Sequence, residues 1–515
     1  MKRKVIVVIA AAIFIFPPSF SFEKDIENIE YSSTIFPGEC KLAMAVGNAT
    51  AGNYSILLKV RDPARQGWQA LCKVPRGYEY DYHHPWFGYK MHFVVERSFI
   101  GTTTFNDVPP NITKPGMLIN DAGIAFGDAD TISYLINPSR YAWDDFDWLR
   151  YAAQSADNIE EAIELLIHVV KKLHATSVAE NIFVIDSKKG VVIEADAFNY
   201  RIKEIENGVE IQSNYPKLLW DIHLLYPLFT AASFNSTFLG WVKKGNVVRL
   251  GGMFGIYIAD IGNNSIKARF YPFGLLKEIK VGEGAAIGNF WLELHEIKEG
   301  EARIFLCFKY YEWERKMRGI VEQNYGKIDV RDAMRWARVH SYEIEGLRGM
   351  CQGGYEAATV YKIPEDYPDV LSCLWFAPNQ CSAIFVPCHI SSLDIYDAYE
   401  NGEAHKLAAE LLEKYGHGNL TEVFEKVEAE FVNITQATER KARQLLEEGK
   451  REEAIMLLTL SDLELQMKAI EIEKMWLNAS FYGEKEFKRI YPMLMKESID
   501  YASKAQNIYI KAAKL

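Results

Sequence analysis

The sequence predicts an α+β protein with an added helical module at its C-terminus. Strand-like apolar runs recur between residues 40 and 393, separated by turn signals such as Asn207-Gly208. One amphipathic helix interrupts these runs at residues 158–173, with Asn158 as its cap. From residue 394 onward Glu, Lys, Ala and Leu dominate, with helical spacing at residues 404–415, 420–446, 451–478 and 487–514. We therefore predict a mixed body at residues 40–393 and a helical module at residues 394–515.

Residues 1–39 differ from this body. Three basic residues precede a 12-residue apolar stretch from Val5 to Phe16, shorter than the roughly 20 residues that a membrane-spanning helix needs. This arrangement predicts a signal peptide at residues 1–21, with an uncleaved N-terminal anchor as the alternative. The polar stretch at residues 22–39 has no clear periodicity and is predicted to be a removable propeptide. We expect the chain to be secreted or to lie on the exterior of the cell envelope, with no other stretch apolar enough to cross a bilayer.

Two further features agree with export. N-x-S/T sequons, which accept N-linked glycans, begin at Asn48, Asn53, Asn111, Asn235, Asn263, Asn419, Asn433 and Asn478. The chain has seven cysteines. If Cys40 is a free thiol, the other six are enough for disulfide bridges, whose pairing the sequence does not choose. The alternative is that several of them are buried thiols.

Composition and spacing exclude some partners. The net charge of -11, with Lys and Arg mixed among the acids, argues against nucleic acid as a partner. Cys373, Cys381, Cys388 and His389 fit no common zinc-ligand spacing, so we predict no metal and no cofactor. The helical module is predicted to cover core or to mediate assembly into a homo-oligomer, with its charged faces in solvent.

Cys40 carries the candidate chemistry. It follows the polar leader and stands at the start of a predicted strand. Cutting the bond between Glu39 and Cys40 would leave a thiol and a free α-amine on one residue. Because the pKa of an α-amine is about 8, this amine can accept a proton near neutral pH. One residue would then supply both the nucleophile and the base for attack on an amide carbonyl.

Three other residues are candidates to assist Cys40. Strand pairing across residues 40–62 would bring Arg61 and Asp62 beside it, where the acid could orient the α-amine. Asn214, which stands two residues before Pro216, offers an uncharged donor for the negative charge that develops on the carbonyl oxygen. Taken alone, these residues would be explained as a surface ion pair and a turn residue.

The order of motifs resembles the cysteine N-terminal-nucleophile (Ntn) hydrolases. The dipeptidase-A peptidases are nearest, and penicillin V acylases and bile-salt hydrolases are more distant. Residues 40–62, which begin with Cys and end Lys-Val-Arg-Asp, are similar to the opening of the mature enzymes. Ser213-Asn214-Tyr215-Pro216 resembles the T-N-x-P motif that carries an oxyanion-hole Asn. Similar segments follow the family order at residues 118–125, 181–194, 330–346, 348–351, 374–378 and 385–387.

The resemblance implies a four-layer αββα sandwich over residues 40–393, with two antiparallel sheets covered by helices. It implies Cys40 as the nucleophile, Arg61 and Asp62 around it, and Asn214 in the oxyanion hole. It also implies that Arg348 and Asn120 bind substrate. The expected activity is metal-free hydrolysis of small peptide or amide bonds through a thioester, after self-processing.

Two departures from the family pattern keep alternatives open. Val60 stands where the family has the Asn of N-R-D, and residues 128–130 read Asp-Ala-Asp where relatives have E-T or L-N. The second oxyanion donor is therefore not identified, and the pocket is expected to be more acidic. The alternatives are an N-acyl amide acylase or lipid amidase of the same fold, and a catalytically inert envelope protein.

Overall fold

The structure is a computed structural model. It describes residues 40–61, 67–83, 90–105, 117–131, 145–168, 170, 179–196, 198–223, 225–351 and 357–507. The signal peptide predicted at residues 1–21, the propeptide predicted at residues 22–39 and the candidate site residue Asp62 lie outside the described residues.

The secondary structure mixes strands and helices in one chain. The described strands are β1 (Lys41–Val46), β2 (Tyr54–Arg61), β3 (Gln69–Val74), β4 (Glu79–His83), β5 (Lys90–Val94), β6 (Phe99–Thr104), β7 (Met117–Asn120), β8 (Ala125–Thr131), β9 (Ala179–Ile185), β10 (Gly190–Ala195), β11 (Tyr200–Ile205), β12 (Gly208–Ser213), β13 (Thr237–Lys243), β14 (Val247–Val248), β15 (Gly255–Ile261), β16 (Ser265–Tyr271), β17 (Lys277–Lys280), β18 (Gly284–Ile287), β19 (Phe290–Lys298), β20 (Glu301–Phe308), β21 (Ala357–Pro364), β22 (Cys373–Ala377) and β23 (Val386–His389).

The described helices are α1 (Asp145–Ser155), α2 (Ile159–His168), α3 (Leu225–Phe229), α4 (Lys309–Val321), α5 (Val330–Ala337), α6 (Pro368–Leu371), α7 (Asp397–Glu400), α8 (Glu403–Tyr415), α9 (Thr421–Glu447), α10 (Arg451–Ala479) and α11 (Glu484–Ser503). The predicted cap at Asn158 is confirmed, because its side chain accepts a hydrogen bond from the backbone of Glu161 at 2.9 Å. Asp329 forms a capping box at the start of α5.

The chain forms two compact units. Among the described residues, the main unit comprises those within 40–219, 314–344 and 348–507, and the inserted unit comprises those within 220–313 and 345–347. The helices from α7 to α11 thus belong to the same compact unit as the strands that follow Cys40. In the described part of the chain, no helix combines the length and the apolar character that a bilayer span requires.

Two antiparallel sheets make up most of the main unit. The first, which we call the β1 sheet, has the strand order β12-β1-β2-β21-β22-β23. The second, the β8 sheet, has the order β11-β10-β9-β8-β7-β6-β3. Every residue of β1, β9 and β10 is buried, as expected for strands covered on both faces.

The two sheets approach each other closely at Gly127 of β8. A Cβ added at this position would lie 2.9 Å from the Leu42 side chain and 3.4 Å from that of Lys59. Because glycine has no side chain, β8 can pack directly against β1 and β2 here. The inward faces of the sheets therefore meet beside the start of β1.

Helices pack against both sheets. α1 and α2 contact β7, β8 and β9, and α1 contributes Trp148 and Leu149 to a buried cluster with Leu118 and Phe126 of the β8 sheet. On the β1 sheet, α5 contacts β2 and β21, while α9 and α10 contact β23. Each sheet thus has helices packed against it.

One strand pairing differs from the sequence-based expectation. The run around Asn207-Gly208 was expected to form a hairpin, and its two strands do form as β11 and β12. They belong to different sheets, however, because β11 pairs with β10 and β12 pairs with β1. The turn at Asn207 carries the chain from the β8 sheet to the β1 sheet, and β12 thereby becomes the neighbour of the strand that follows Cys40.

The inserted unit contains two four-stranded antiparallel sheets, with the orders β13-β20-β19-β18 and β14-β15-β16-β17. Trp220, Tyr226 and Phe308 form part of its aromatic core, with the Trp220 ring centroid 5.2 Å from that of Phe308. The strand-like runs of this region are visible in the sequence, but they carry no signal of a separate unit.

The expected disulfide bridges are not formed. None of the seven cysteines forms a disulfide. The six cysteines other than Cys40 are buried. This outcome agrees with the alternative of buried thiols, since cysteine is among the residue types most often found inside proteins.

Candidate active site

Cys40 lies immediately before β1, which runs between β12 and β2. Lys41 is opposite Ser213 on one side and Val60 on the other. The Ser213 hydroxyl donates a hydrogen bond to the Cys40 carbonyl oxygen at 2.8 Å and accepts one from Lys41 Nζ at 3.0 Å. Cys40 is a half-buried free thiol. The backbone of the candidate nucleophile is therefore held in place where an interior strand begins.

Lys59 of β2 is a site residue that the sequence analysis did not identify. Its register partner is Leu42, two residues beyond Cys40, so Lys59 and Cys40 face the same side of the sheet. Its buried ammonium contacts Asp128 Oδ1 at 3.1 Å and the Asp128 carbonyl oxygen, and it hydrogen-bonds to the Cys40 side chain. Burial lowers the pKa of Lys59, but Asp128, Cys40 and Asp130 outweigh burial and raise the pKa above its ordinary value. Lys59 therefore stays positively charged beside the thiol.

Three carboxyl groups lie next to this ammonium. Asp128 and Asp130 are on β8, and Glu180 is directly opposite Asp130 on β9. Their carboxylate oxygens lie within 4.8 Å of one another. Three carboxylates this close together can bind a cation, and the Lys59 ammonium is already such a cation beside Asp128. The sequence-based expectation of a more acidic site therefore corresponds to three specific side chains.

The pKa of the Asp130 carboxyl group is raised above its ordinary value. Burial, together with the charge of Asp128, raises its pKa to about 6, although Lys59, Glu180 and Arg61 act in the opposite direction. Asp130 is therefore protonated in weakly acidic solution and ionised above neutral pH.

Asn214 follows β12 and lies in the same group of residues. Its Nδ2 donates to the Asp130 carbonyl oxygen at 2.6 Å, and its Oδ1 lies 3.3 Å from the Ser213 hydroxyl oxygen. A primary amide carries two N–H groups, so one bond to Asp130 leaves a second donor on this nitrogen. Ser213 connects Asn214 directly to the backbone of Cys40.

Arg61 also lies beside the acidic residues. It is the last residue of β2, is buried, and donates to Gln69 Oε1 at 3.0 Å. Its charge contributes to lowering the pKa of Asp130. Cys40, Arg61 and Asn214 thus lie around the same group of strand ends, and Asp62 is outside the described residues.

Asn120 does not lie among these residues. Its side-chain amide donates to the carbonyl oxygens of Ala153 and Ala156, both at 3.0 Å. Its side-chain oxygen accepts from the backbone of Ala122 and Ile124 at 3.1 Å. These four bonds tie the turn after β7 to the end of α1, on the face of the β8 sheet that helices cover.

Arg348 belongs to a loop and not to a strand of either sheet. It is half-buried in the segment that follows α5. Cys351, three residues later, donates its backbone N–H to the Val339 carbonyl at 3.0 Å. The segment that contains Arg348 thus packs beside Val339 and His340.

A surface cleft lies at the other end of β1. It encloses about 580 Å³ around the turn between β1 and β2, with Ser187–Lys189 and Glu365 on its rim. Cys40 and Lys59 do not line it. The cleft is therefore a different place on the surface from the residues around Cys40.

Comparisons with known proteins gave matches among solved structures only. No family model matches the chain, and no curated protein matches it. Penicillin V acylase from Agrobacterium tumefaciens is 13% identical with a TM-score of 0.26, covering 35% of this chain and 53% of the acylase. The chain thus spans about half the length of that enzyme.

Two variants of the conjugated bile acid hydrolase from Clostridium perfringens also match. They are 11% and 12% identical, with TM-scores of 0.36, and each match covers 68% of this chain and 92% of the hydrolase. At these TM-scores we infer nothing about this chain from the matches. Its function is inferred from the residues around Cys40.

Proposed function

We propose that this chain is an exported cysteine Ntn amidohydrolase that is cut before Cys40 and hydrolyses small peptide or amide bonds through a thioester. The observation that carries the proposal is the contact between Cys40, at the start of β1, and the buried ammonium of Lys59. A cation beside a thiol favours the thiolate, which is the nucleophilic form.

The proposed reaction follows from the groups around Cys40. The thiolate attacks the amide carbonyl, a carbon–sulfur bond forms, and the α-amine freed by processing carries the thiol proton to the leaving nitrogen. The carbon–nitrogen bond breaks and the amine leaves. Water then attacks the thioester, which releases a carboxylic acid and regenerates the thiol.

Asn214 and Lys59 are the proposed donors to the oxyanion. Asn214 has one N–H on the Asp130 carbonyl and a second one to offer. Asp128 accepts hydrogen bonds and donates none when ionised, so it cannot act as a donor itself. Lys59 has three N–H groups, two of which meet Asp128 while one meets Cys40. As negative charge moves from sulfur to oxygen, this third N–H can follow it.

The four-layer αββα arrangement is part of the proposal. The close approach of the sheets at Gly127 supports the two inner layers. α1 and α2 on the β8 sheet, and α5, α9 and α10 on the β1 sheet, support the two outer layers.

Dipeptides are the proposed substrates because the site has excess carboxyl groups. Lys59 pairs with Asp128 and the charge of Arg61 acts on Asp130, so three carboxyl groups lie beside two cations. A carboxylate at this position suits the free ammonium of a dipeptide, whereas an N-acyl amide or a lipid amide has no such charge. The acylase and lipid amidase remain the alternative because they need the same nucleophile.

The first prediction concerns processing. Wild-type protein should have an intact mass and an N-terminal sequence that begin at Cys40. Cys40→Ala should fold, keep its leader residues and be inactive. Cys307→Ala, which removes a buried thiol of the inserted unit, is the matched control and should be processed and active. Activity in Cys40→Ala, or an active wild-type chain that still carries the preceding residues, would reject the mechanism. An inactive wild type that is not cut before Cys40 would favour the inert envelope protein.

The second prediction concerns substrate charge. With a free dipeptide, KM should fall as pH rises through about 6, because Asp130 ionises there and can then bind the ammonium. Asp130→Asn should raise KM by about 10-fold, the order expected for one lost charged hydrogen bond, and should flatten this pH dependence. The N-acetylated dipeptide is the control and should show neither effect. Faster hydrolysis of the acetylated compound would support the acylase alternative.

A further inference from the structure

Four metal-ligating side chains meet at a second place in the main unit, away from the strands that carry the Cys40 site. They are His340, Cys351, Cys381 and His417, and one ligand atom from each lies within 4.8 Å of every other. His340 Nε2 is 3.0 Å from Cys381 Sγ, and the sulfurs of Cys351 and Cys381 are 2.8 Å apart. The two sulfurs are buried and the two imidazoles are half-buried.

Three loops bring these residues together. His340 and Cys351 lie in the segment after α5, Cys381 lies between β22 and β23, and His417 lies between α8 and α9. The spacing contains no short Cys-x-x-Cys pair. The sequence therefore gave no sign of these four residues as one cluster. It suggested a different set, in which Cys381 stood with Cys373, Cys388 and His389.

Glycines make the close approach of these loops sterically feasible. A Cβ on Gly349 would lie 2.8 Å from the backbone carbonyl carbon of His340. Glycine at this position therefore allows the segment to turn back against His340, which brings Cys351 into the cluster. His417 stands between Gly416 and Gly418, whose φ angles of +72° and +78° favour glycine.

Neighbouring side chains hold the four residues in position. Glu343 accepts from the His340 backbone at 2.9 Å, and its carboxylate lies 3.8 Å from Nδ1 of the same imidazole. Asn379 accepts from the Cys381 backbone at 3.0 Å. Buried Arg338 donates to the carbonyl oxygens of Gln380 and Ala383 on either side of this cysteine.

We propose that His340, Cys351, Cys381 and His417 bind a structural Zn²⁺ ion. Two thiolates and two imidazoles are a common tetrahedral zinc ligand set, and four protein ligands leave no open position for catalysis. The sulfurs are farther apart than the roughly 2.05 Å of a disulfide. A tetrahedral site with Zn–S bonds of about 2.3 Å separates its sulfurs by about 3.8 Å, so the ion requires them to move apart by about 1 Å.

Glu343 supplies the kind of partner that zinc-bound imidazoles commonly have. Its carboxylate lies 3.8 Å from Nδ1 of His340, and carboxylates in this position commonly orient the imidazole ligands of zinc.

The proposed ion would join parts of the chain that are distant in sequence. It would tie the loop between α8 and α9 to the segment after α5 and to the loop between β22 and β23. Arg348 lies between two of the ligands in sequence, so its segment would be fixed by the same ion.

The test is the metal content of the full chain, purified under reducing conditions without chelator and measured by elemental mass spectrometry. Wild type should contain about one Zn²⁺ per chain. Cys381→Ala and His417→Ala should each lose it. Cys388→Ala, which removes an equally buried thiol in β23, is the matched control and should retain it. Glu343→Gln should bind Zn²⁺ about 10-fold more weakly, as measured by competition with a chelator.

Co²⁺ provides a second measurement that does not depend on how the variants fold. Wild-type protein stripped by a chelator should melt at a lower temperature, regain its Tm with Zn²⁺ but not Mg²⁺, and give the visible absorption of tetrahedral thiolate-bound Co²⁺. Reduced wild type that takes up neither ion would overturn the proposal. Unchanged zinc content in Cys381→Ala, or a disulfide between Cys351 and Cys381 in the freshly purified chain, would overturn it as well. None of these measurements depends on the activity proposed for Cys40.

Discussion

Lys59 shows how a charged side chain can occupy the interior between two sheets. Its side chain and that of Asp128 are only 2% and 4% exposed, so both ions have lost nearly all their water. Removing one partner of such a pair leaves an uncompensated buried charge, which is more damaging than replacing both partners. Stability and chemistry at this position can therefore be separated by experiment.

The third prediction separates them. Lys59→Met should lower the free energy of unfolding by about 3–5 kcal/mol, because Asp128 loses its partner. Combining it with Asp128→Leu should restore most of the stability, since both buried charges are then gone. Activity should stay low in the double variant, because the cation beside Cys40 is still missing. Denaturant titration and turnover measure the two properties, and a stable, fully active double variant would exclude Lys59 from the mechanism.

The sequence carried a signal for part of this site. Successive strand residues face opposite sides, so Asp128 and Asp130 of the Asp-Ala-Asp segment share one face, as do Lys59 and Arg61. What the sequence could not show is which strands are neighbours. Glu180 joins the site only because β9 pairs with β8. This pairing places it opposite Asp130, which lies 50 residues earlier in the sequence.

Individual strands and helices were predicted more accurately than their pairing. The hairpin at residues 40–62 is confirmed as β1 and β2, and the strand–turn–strand segment at residues 181–195 is confirmed as β9 and β10. Residues 201–212 form two strands as expected, but in different sheets. Local turn chemistry is encoded in neighbouring residues, whereas the partner of β12 is fixed by distant packing, including the Ser213 bond to Cys40.

Long helices at the C-terminus were well predicted because their apolar spacing is regular. The expected helix at residues 451–478 is α10, and that at residues 420–446 is α9. Their attachment to the β1 sheet could not be foreseen, since it uses buried polar pairs. His389 of β23 contacts Asp462 of α10 at 2.9 Å, and Lys362 of β21 contacts Glu439 of α9 at 2.6 Å.

The fourth prediction concerns the pH dependence of this attachment. Burial lowers the pKa of His389, but Asp462 and Glu439 outweigh burial and raise it from 6.5 to about 9. Its stabilisation is therefore complete below about pH 6.5 and is lost as pH rises through 9. Burial raises the pKa of Glu439, but Lys362 and His389 lower it from 4.5 to about 2, so its contribution is complete above about pH 4.5 and is lost as pH falls through 2.

Thermal unfolding should therefore show both contributions in full between about pH 4.5 and 6.5. In His389→Gln the decrease of Tm on the alkaline side should become shallower, because a neutral amide has no proton to lose. An alkaline decrease equally steep in the variant would show that other groups cause it.

At the scale of the whole molecule, the domain organisation was the least predictable feature. The inserted unit begins after Leu219, and the main unit resumes at Glu314. Lys217 and Glu314, which flank the insertion, contact each other at 3.2 Å within the main unit. No change in composition marks these points, because strands of the insertion and of the main unit draw on the same residue types. The boundary between residues 393 and 394 stays a prediction.

The fifth prediction concerns the thiols of the entire chain. Protein denatured in the presence of a chelator and without reductant should titrate as seven thiols. An exported protein would usually be expected to pair its cysteines. Full burial of the six cysteines other than Cys40 provides the reason why they stay reduced in the folded state. A lower thiol count, restored by reduction, would instead support the bridges expected from the sequence.

The buried ion pair between Arg338 and Glu428 has a consequence for the order in which the molecule is completed. Both side chains are at most 2% exposed and their charged atoms are 2.6 Å apart. A ribosome makes Cys40 early, but the arginine has no counter-ion until translation has passed residue 428. The core of the main unit can therefore be completed only after residue 428 has been synthesised. Cys40 is made early in translation, but its unit is complete only when the C-terminal helices are present.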